Sequence, residues 1–451
     1  MTKEWRPVTV IGGGLAGCEA AWQIARRGVP VVLYEMRPGR NTPAHQTDLL
    51  GELVCSNSLG STLVGRAPGL LKAELEMVGS LVLDCAREAA VPAGRALAVD
   101  REALAQALTA HISAEPRITL LRSEVTALPE EGLCVVASGP LTSPDLAQSL
   151  ARLTGSEHLS FYDAMAPIVQ ADSIDMEIAF RASRYDDGEG GDYINCPMSR
   201  DEYEAFVEAL VSARRAPQRE FERGDPHFFE ACLPIEVLAA RGKDALAYGP
   251  LRPVGLVDPR TGRRPYAVVQ LRQDNLAGSL YNLVGFQTSL AWDEQRRVLS
   301  LIPGLQKAQW VRLGQMHRNT FIDSPRLLSR DLSFQGRSEL FFAGQLIGTE
   351  GYVGSTASGL VAGINAARRA QGRDTLVWPE QTMLGALLRY VTTPQPGRFQ
   401  PIKANLGLLP SLEIRARSKR QRGEAQAERA LQAMRQYVSS SGVLEDVGGV
   451  A

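Results

Sequence analysis

Two cysteines stand where a thiol has little packing reason to be. Cys55 lies in GELVCSNSLG (51–60), among small polar residues, and Cys232 lies in FFEACLPIE (228–236). Pro234 biases Leu233 away from helix, so the second segment reads as an ordered bend. A thiol acts as a nucleophile only as its thiolate, which needs a cation or a helix N-terminus nearby. Read for chemistry, the two are a pair meeting across a domain interface at a bound ligand. Read for packing, each is a small buried residue. Cys18 and Cys85, in helical runs, and Cys134, in a strand, read as structural, and Cys196 is undecided. No two cysteines form C-x-x-C and none has zinc-ligand spacing with a histidine, so no metal is expected. That usage fits a reducing compartment.

The ligand is announced near the N-terminus. RPVTVIGGGLAGCEAAWQIARRGVPVVLYEMRP reads as strand, turn, helix and strand. Gly12, Gly14 and Gly17 form G-x-G-x-x-G, and Glu35 ends the second strand at the distance of a ribose-binding acid. Gly12 permits the tight turn, Gly14 lets backbone approach a pyrophosphate, and Gly17 lets the helix pack on the strand. The helix N-terminus then offers free N–H groups and partial positive charge to phosphate.

Two later segments favour FAD over NAD. LCVVASGP (133–140) is a short strand ending at Ser138 and Gly139. SELFFAGQLIGTEGYVGSTASGLVAGINAARRA (338–370) places a strand, Leu340 to Ala343, before Gly344 and Gln345, then a loop with Gly351 and Tyr352. A helix is expected from near Ser355 or Thr356, its small residues allowing close packing. This resembles the C-terminal flavin motif of the glutathione-reductase-like FAD proteins, whose helix start faces the flavin pyrimidine ring. No second G-x-G-x-x-G follows a strand, so a dedicated NAD(P)H domain is not evident. The expected fold is α/β. A Rossmann-type FAD-binding domain is formed by 1–142 and 320–451, with a basic helical tail, and an α+β substrate domain is inserted at 143–319.

The chain has 451 residues and a net charge of -1, so nucleic acid would be held by local patches rather than by the whole surface. Arg214, Arg215, Arg219 and Arg223 form one such cluster, and Arg415, Arg417, Lys419, Arg420 and Arg422 another. Each cluster also reads as an ordinary solvated face. The first residues run almost directly into a strand, with no apolar stretch long enough to span a membrane, and a cytoplasmic protein is expected.

Taken in order, VIGGGLAGCEAAW, TPAHQTD, ELVCSNSLG, NCPM, FFEACLPIE, YGPLRPVGLVDPRTG, MHRNT and AGQLIGTEGY are similar to one family, over residues 8 to about 410. That family is the folate- and FAD-dependent tRNA (uracil-5-)-methyltransferases, TrmFO. The related MnmG (GidA) flavoproteins, which modify the wobble uridine, share the GQ-x-x-G-T-x-G-Y loop. They are longer and carry an extra helical domain. A general NAD(P)H-linked flavin oxidoreductase and a flavin-stabilised tRNA-binding chaperone are the other readings.

The resemblance implies methylation at C5 of the T-loop uridine of tRNA, position 54, with 5,10-methylenetetrahydrofolate as carbon donor. Reduced FAD would carry the methylene and supply electrons, with NAD(P)H as electron donor. C5 of uracil is a poor nucleophile, and a thiolate added at C6 makes it enolate-like. The family pattern assigns Cys232 to that addition, with Cys55 as the second thiol, near the flavin; the reverse assignment stays open. His317 in MHRNT is the folate-stacking candidate, Trp292 the second, and Arg101 a contact to flavin or folate.

Overall fold

The computed structural model describes residues 5–42, 44–155, 159–184, 191–216, 233–397, 399–412 and 418–444, with side chains of 159–164 and 316–318 excepted. Two hydrophobic cores divide it. The first gathers residues from Val8 to Leu150 and from Phe321 to Val443. The second runs from Ala166 to Leu305.

The first core surrounds a six-stranded sheet in the order 333–334, 337–342, 134–136, 8–11, 31–34, 118–121. All neighbours are parallel except the edge hairpin 333–334/337–342. Strand β1 (Val8–Ile11) is central and buried, and the chain turns from it into helix α1 (Leu15–Ala25). Helix α2 (Tyr352–Ala370) lies against α1. Their approach is set by missing side chains. A Cβ on Gly363 would come 2.5 Å from the Ala20 carbonyl oxygen, and one on Gly359 would overlap that of Ala16. Helix α2 begins about one turn earlier than the sequence suggests. Gly351, at φ +80, turns the chain into the helix, so Tyr352 rather than Ser355 or Thr356 starts it.

The second sheet is antiparallel, in the order 180–181, 193–198, 267–273, 280–283, 168–170, 310–312. Its strands include β2 (Ile168–Gln170), β3 (Ala267–Gln273), β4 (Leu280–Leu283) and β5 (Trp310–Arg312). Val169, Leu271, Tyr281 and Leu283 alternate into the second core. The two passages between the cores, Leu159–Ala164 and Met316–Phe321, pair with each other as an antiparallel ladder. The helix Pro144–Thr154 precedes that ladder, and its Leu146 and Leu150 belong to the first core.

Candidate functional site

A cleft enclosing about 1010 Å³, mouth included, opens at the carboxyl ends of the parallel strands. This is where open α/β sheets bind ligands. Gly12 to Ala16, Glu35, Ser138, Gly139, Gly344, Gln345, Tyr352 and Ser355 line it. Helices α1 and α2 both start there, and neither N-terminus is capped by a side chain. N–H groups at such a helix start are placed to receive an anionic ligand. Nothing would meet a Cβ on Gly14, which leaves its backbone open to close approach.

Gly17, Gly351 and Thr356 stand just off the lining of the cleft. Gly17 does not line the cleft; it lets α1 lie against the Gly12 carbonyl, where a Cβ would overlap. Gly351 shapes the turn into α2, and the Thr356 hydroxyl donates back to the Tyr352 carbonyl at 2.9 Å. Ser355, one residue earlier, faces the cleft instead.

Glu35 is 6% exposed. It accepts from the Gly13 N–H, and from the backbone N–H and Nε of Arg37, each at 3.0 Å. Burial works against its charge, but Arg37 and the two backbone N–H groups hold the carboxyl below the usual range. Arg37 also donates to Glu52 at 3.1 Å, and Glu52 accepts from the N–H of Gln46 and Thr47. The acid expected at the ribose end is therefore fixed from behind by an arginine the sequence reading did not single out.

The loop bearing Cys55 is stapled beside the cleft. The Cys55 N–H donates to Tyr352 Oη at 2.9 Å, and Val54 lines the cleft. Cys55 is half-buried, whereas Cys18, Cys85, Cys134 and Cys196 are buried. Arg101 is not on a surface helix face. Its Nη1 donates to the carbonyls of Leu53 (2.9 Å) and Cys55 (2.8 Å), and its Nε and Nη2 donate to Asp274 of the second unit. Burial opposes the charge of this guanidinium, yet Asp274 keeps its pKa above the ordinary value. With these donors given to the protein, Arg101 positions the thiol loop. Asn57 adds a second staple, donating to the carbonyls of Val99 and Gln273 at 2.9 Å each.

Cys232 lies outside the described residues, as do Arg219, Arg223, Arg415 and Arg417. The backbone of His317 pairs with Asp163 in the ladder between the cores; its side chain is not described. Trp292 starts a helix, is 59% exposed, and does not line the cleft. Arg214 is exposed and paired with Asp293, and Arg420 is paired with Glu424 at 2.8 Å. Among the described residues no group of three or more His, Cys, Asp or Glu side chains is placed to hold a metal, and no helix is long and apolar enough to cross a membrane.

The family described as glucose inhibited division protein A matches residues 7–374. A protein of Desulforamulus reducens is 55% identical over 438 residues, covering 97% of this chain and 99% of its own. One of Gloeobacter violaceus is 57% identical over 437 residues, covering 97% of each chain. Both are named methylenetetrahydrofolate–tRNA-(uracil-5-)-methyltransferase TrmFO. Among solved structures, GidA of Aquifex aeolicus superposes with a TM-score of 0.70 at 17% identity, over 99% of this chain and 76% of that one. That likeness bears on the fold: a nucleotide-binding α/β sheet with an inserted sheet domain. With near-complete coverage at more than half identity, the chain belongs to the TrmFO family of methylenetetrahydrofolate–tRNA-(uracil-5-)-methyltransferases.

Proposed function

We propose that this protein methylates C5 of a tRNA uridine, the T-loop uridine at position 54, using the one-carbon unit of 5,10-methylenetetrahydrofolate. What carries the reading is the placement of Cys55. Its loop is fixed by Tyr352 and Arg101 beside a dinucleotide cleft, in a chain matching relatives of that name along its whole length. FAD fits the cleft, because two uncapped helix N-termini and an open Gly14 face it. When bound, FAD supplies the carrier and reducing chemistry that turns a methylene into a methyl group. NAD(P)H is the proposed source of electrons.

The chain's own residues do the rest. The α1 N-terminus would hold the phosphates of bound FAD, Glu35 its ribose hydroxyls, and the α2 N-terminus would favour negative charge in the cleft. Cys232, as thiolate, adds to C6 of the uracil, so that C5 attacks the one-carbon electrophile. Cys55 takes the C5 proton as the bond from the transferred carbon to its carrier breaks; the reducing equivalents that bound reduced FAD would supply complete the methyl group, and the Cys232 thiolate leaves from C6. Arg101 and Tyr352 hold the Cys55 loop in register with the cleft. His317 is proposed to stack on folate, with Trp292 second, and the arginine clusters at 214–223 and 415–422 to contact tRNA phosphates. The nucleotide-binding unit is proposed as 1–142 with 320–451, and the protein as cytoplasmic.

The test is direct. Purified protein should be yellow with flavin, and should add 14 mass units to a T-loop uridine of unmodified tRNA when given methylenetetrahydrofolate and NAD(P)H (the mass of CH₂, roughly, replacing one hydrogen by methyl). Cys232→Ala should keep flavin and methylate nothing. Methylation by that variant would remove Cys232 from the role, and a colourless wild-type preparation would remove FAD.

A further inference from the structure

The second sheet carries a row of hydrogen-bond donors that the chemistry above does not use. Arg272 of β3 sits opposite Asn282 of β4, Asn282 opposite Ile168 of β2, and Ile168 opposite Arg312 of β5. Residues directly opposite one another leave a sheet on the same face. Here that face is opposite the one occupied by Val169, Leu271, Tyr281 and Leu283 in the second core. It meets the thiol loop. Arg272 Nε donates to Asn57 Oδ1 at 2.8 Å, two residues from Cys55, and Arg312 Nη2 donates to the Ala44 carbonyl at 3.3 Å.

The charges on this face do not balance. Arg272 is 7% exposed and, among the described residues, makes no ion pair, while Arg312 has there only a carbonyl and the Met165 sulfur as acceptors. Asp274, an acid whose charge acts on both, is bound to Arg101 at 3.1 Å, and Glu52 is bound to Arg37. Among the described residues, the guanidinium groups of Arg101, Arg272 and Arg312 thus share the carboxylate of Asp274. Burial, and in each case the charge of Arg101, pushes the guanidinium pKa of Arg272 and of Arg312 down. The Asn282 amide nitrogen is buried without an acceptor. An unpaired buried cation such as Arg272 is costly and persists where something anionic compensates it, and half-buried Arg312 shares part of that cost. Planar guanidinium groups with unspent N–H donors match carboxylate and phosphate oxygens.

We propose that Arg272 and Arg312, framed by the Arg101–Asp274 pair, form an oxyanion-binding site at the junction of the two units, beside Cys55. The shared chemistry is a carboxylate or phosphate group of a substrate. Its two sources are the glutamate carboxylates of the folate and a backbone phosphate of the target nucleotide. The assignment of those sources rests on the function proposed above; the existence of the site does not.

The holoenzyme is melted in malonate, in inorganic phosphate and in chloride at matched ionic strength. Wild type should melt higher in malonate or phosphate than in chloride. Arg272→Gln and Arg312→Gln should lose that shift while keeping bound flavin, and Arg272→Lys should retain part of it. With 5,10-methylenetetrahydrofolate the Gln variants should show KM raised roughly ten- to hundredfold. An unchanged KM with the analogue lacking glutamate would identify the carboxylate source. A raised KM for tRNA alone would identify the phosphate source. No anion-specific shift in wild type overturns the site without any variant. Gln variants with unchanged melting shift and unchanged KM for both substrates overturn it as well. Should wild type methylate no uridine, the proposed function falls while the melting experiment still decides the site.

Discussion

Arg101 Nη1 donates to the carbonyl of Cys55 at 2.8 Å while the same guanidinium grips Asp274 at 3.1 Å. One side chain thereby ties the thiol loop to both units of the molecule. Asp274 is 4% exposed, so water does little to offset its charge. Asp274→Asn leaves the Arg101 charge buried and uncompensated. It should cost about 3–5 kcal/mol in denaturant melts. Pairing it with Arg101→Gln should cost less than the sum of the single changes. Strictly additive costs would show that the two residues are not coupled.

Thiol reactivity should follow burial. Desolvation pushes the thiols of Cys85, Cys134 and Cys196 up to about 12, and that of Cys18 further. Alkylation of native protein by iodoacetamide near pH 8, mapped by peptide mass, should modify half-buried Cys55 and spare these four. Any of the four reacting as fast as Cys55 would contradict the structure.

The crossing of α1 and α2 has no room for a methyl group. In Gly363→Ala the new Cβ meets the Ala20 carbonyl oxygen at 2.5 Å. Overpacking of this kind should cost roughly 1–3 kcal/mol. Because both helix starts form the cleft, the purified variant should also carry less flavin, read from its absorbance per protein.

Glu35 should give the site an acid-sensitive component. Its carboxyl is held below its ordinary value of 4.5, chiefly through Arg37 acting against burial. A depressed carboxylate contributes stability that is fully present above the unfolded pKa and is lost as pH falls through the folded one. Melting temperature should therefore fall along an acid limb below about pH 4.5, the group's ordinary value. Glu35→Gln should cost roughly 1.5–3 kcal/mol at neutral pH, the scale of a hydrogen bond to a charged group. It should also flatten that limb; an unchanged limb would assign it to other carboxyls.

The nucleotide end of the site was legible in the sequence because its physics is local. Gly12, Gly14 and Glu35 belong to one strand–helix–strand unit, where a missing Cβ or a terminal acid has its meaning within a few turns of chain. Strands 267–273 and 280–283 are likewise local features, each a short run rich in Val, Leu or Tyr. The start of α2 was placed late, because composition does not reveal that Gly351 adopts φ +80.

What the sequence by itself determined, then, is the kind of unit each stretch forms and which faces are apolar. Tertiary structure alone decided the setting of Cys55. Arg101 finds Asp274 across 173 positions, and Asn57 finds Arg272 across 215. Alternation along β3 assigns Arg272 to a face, but only strand register puts it in line with Asn282 and Arg312. The physical reason is that a hydrogen bond or ion pair depends on proximity in space. Burial of the two cores sets that proximity, and no pattern within either segment records it.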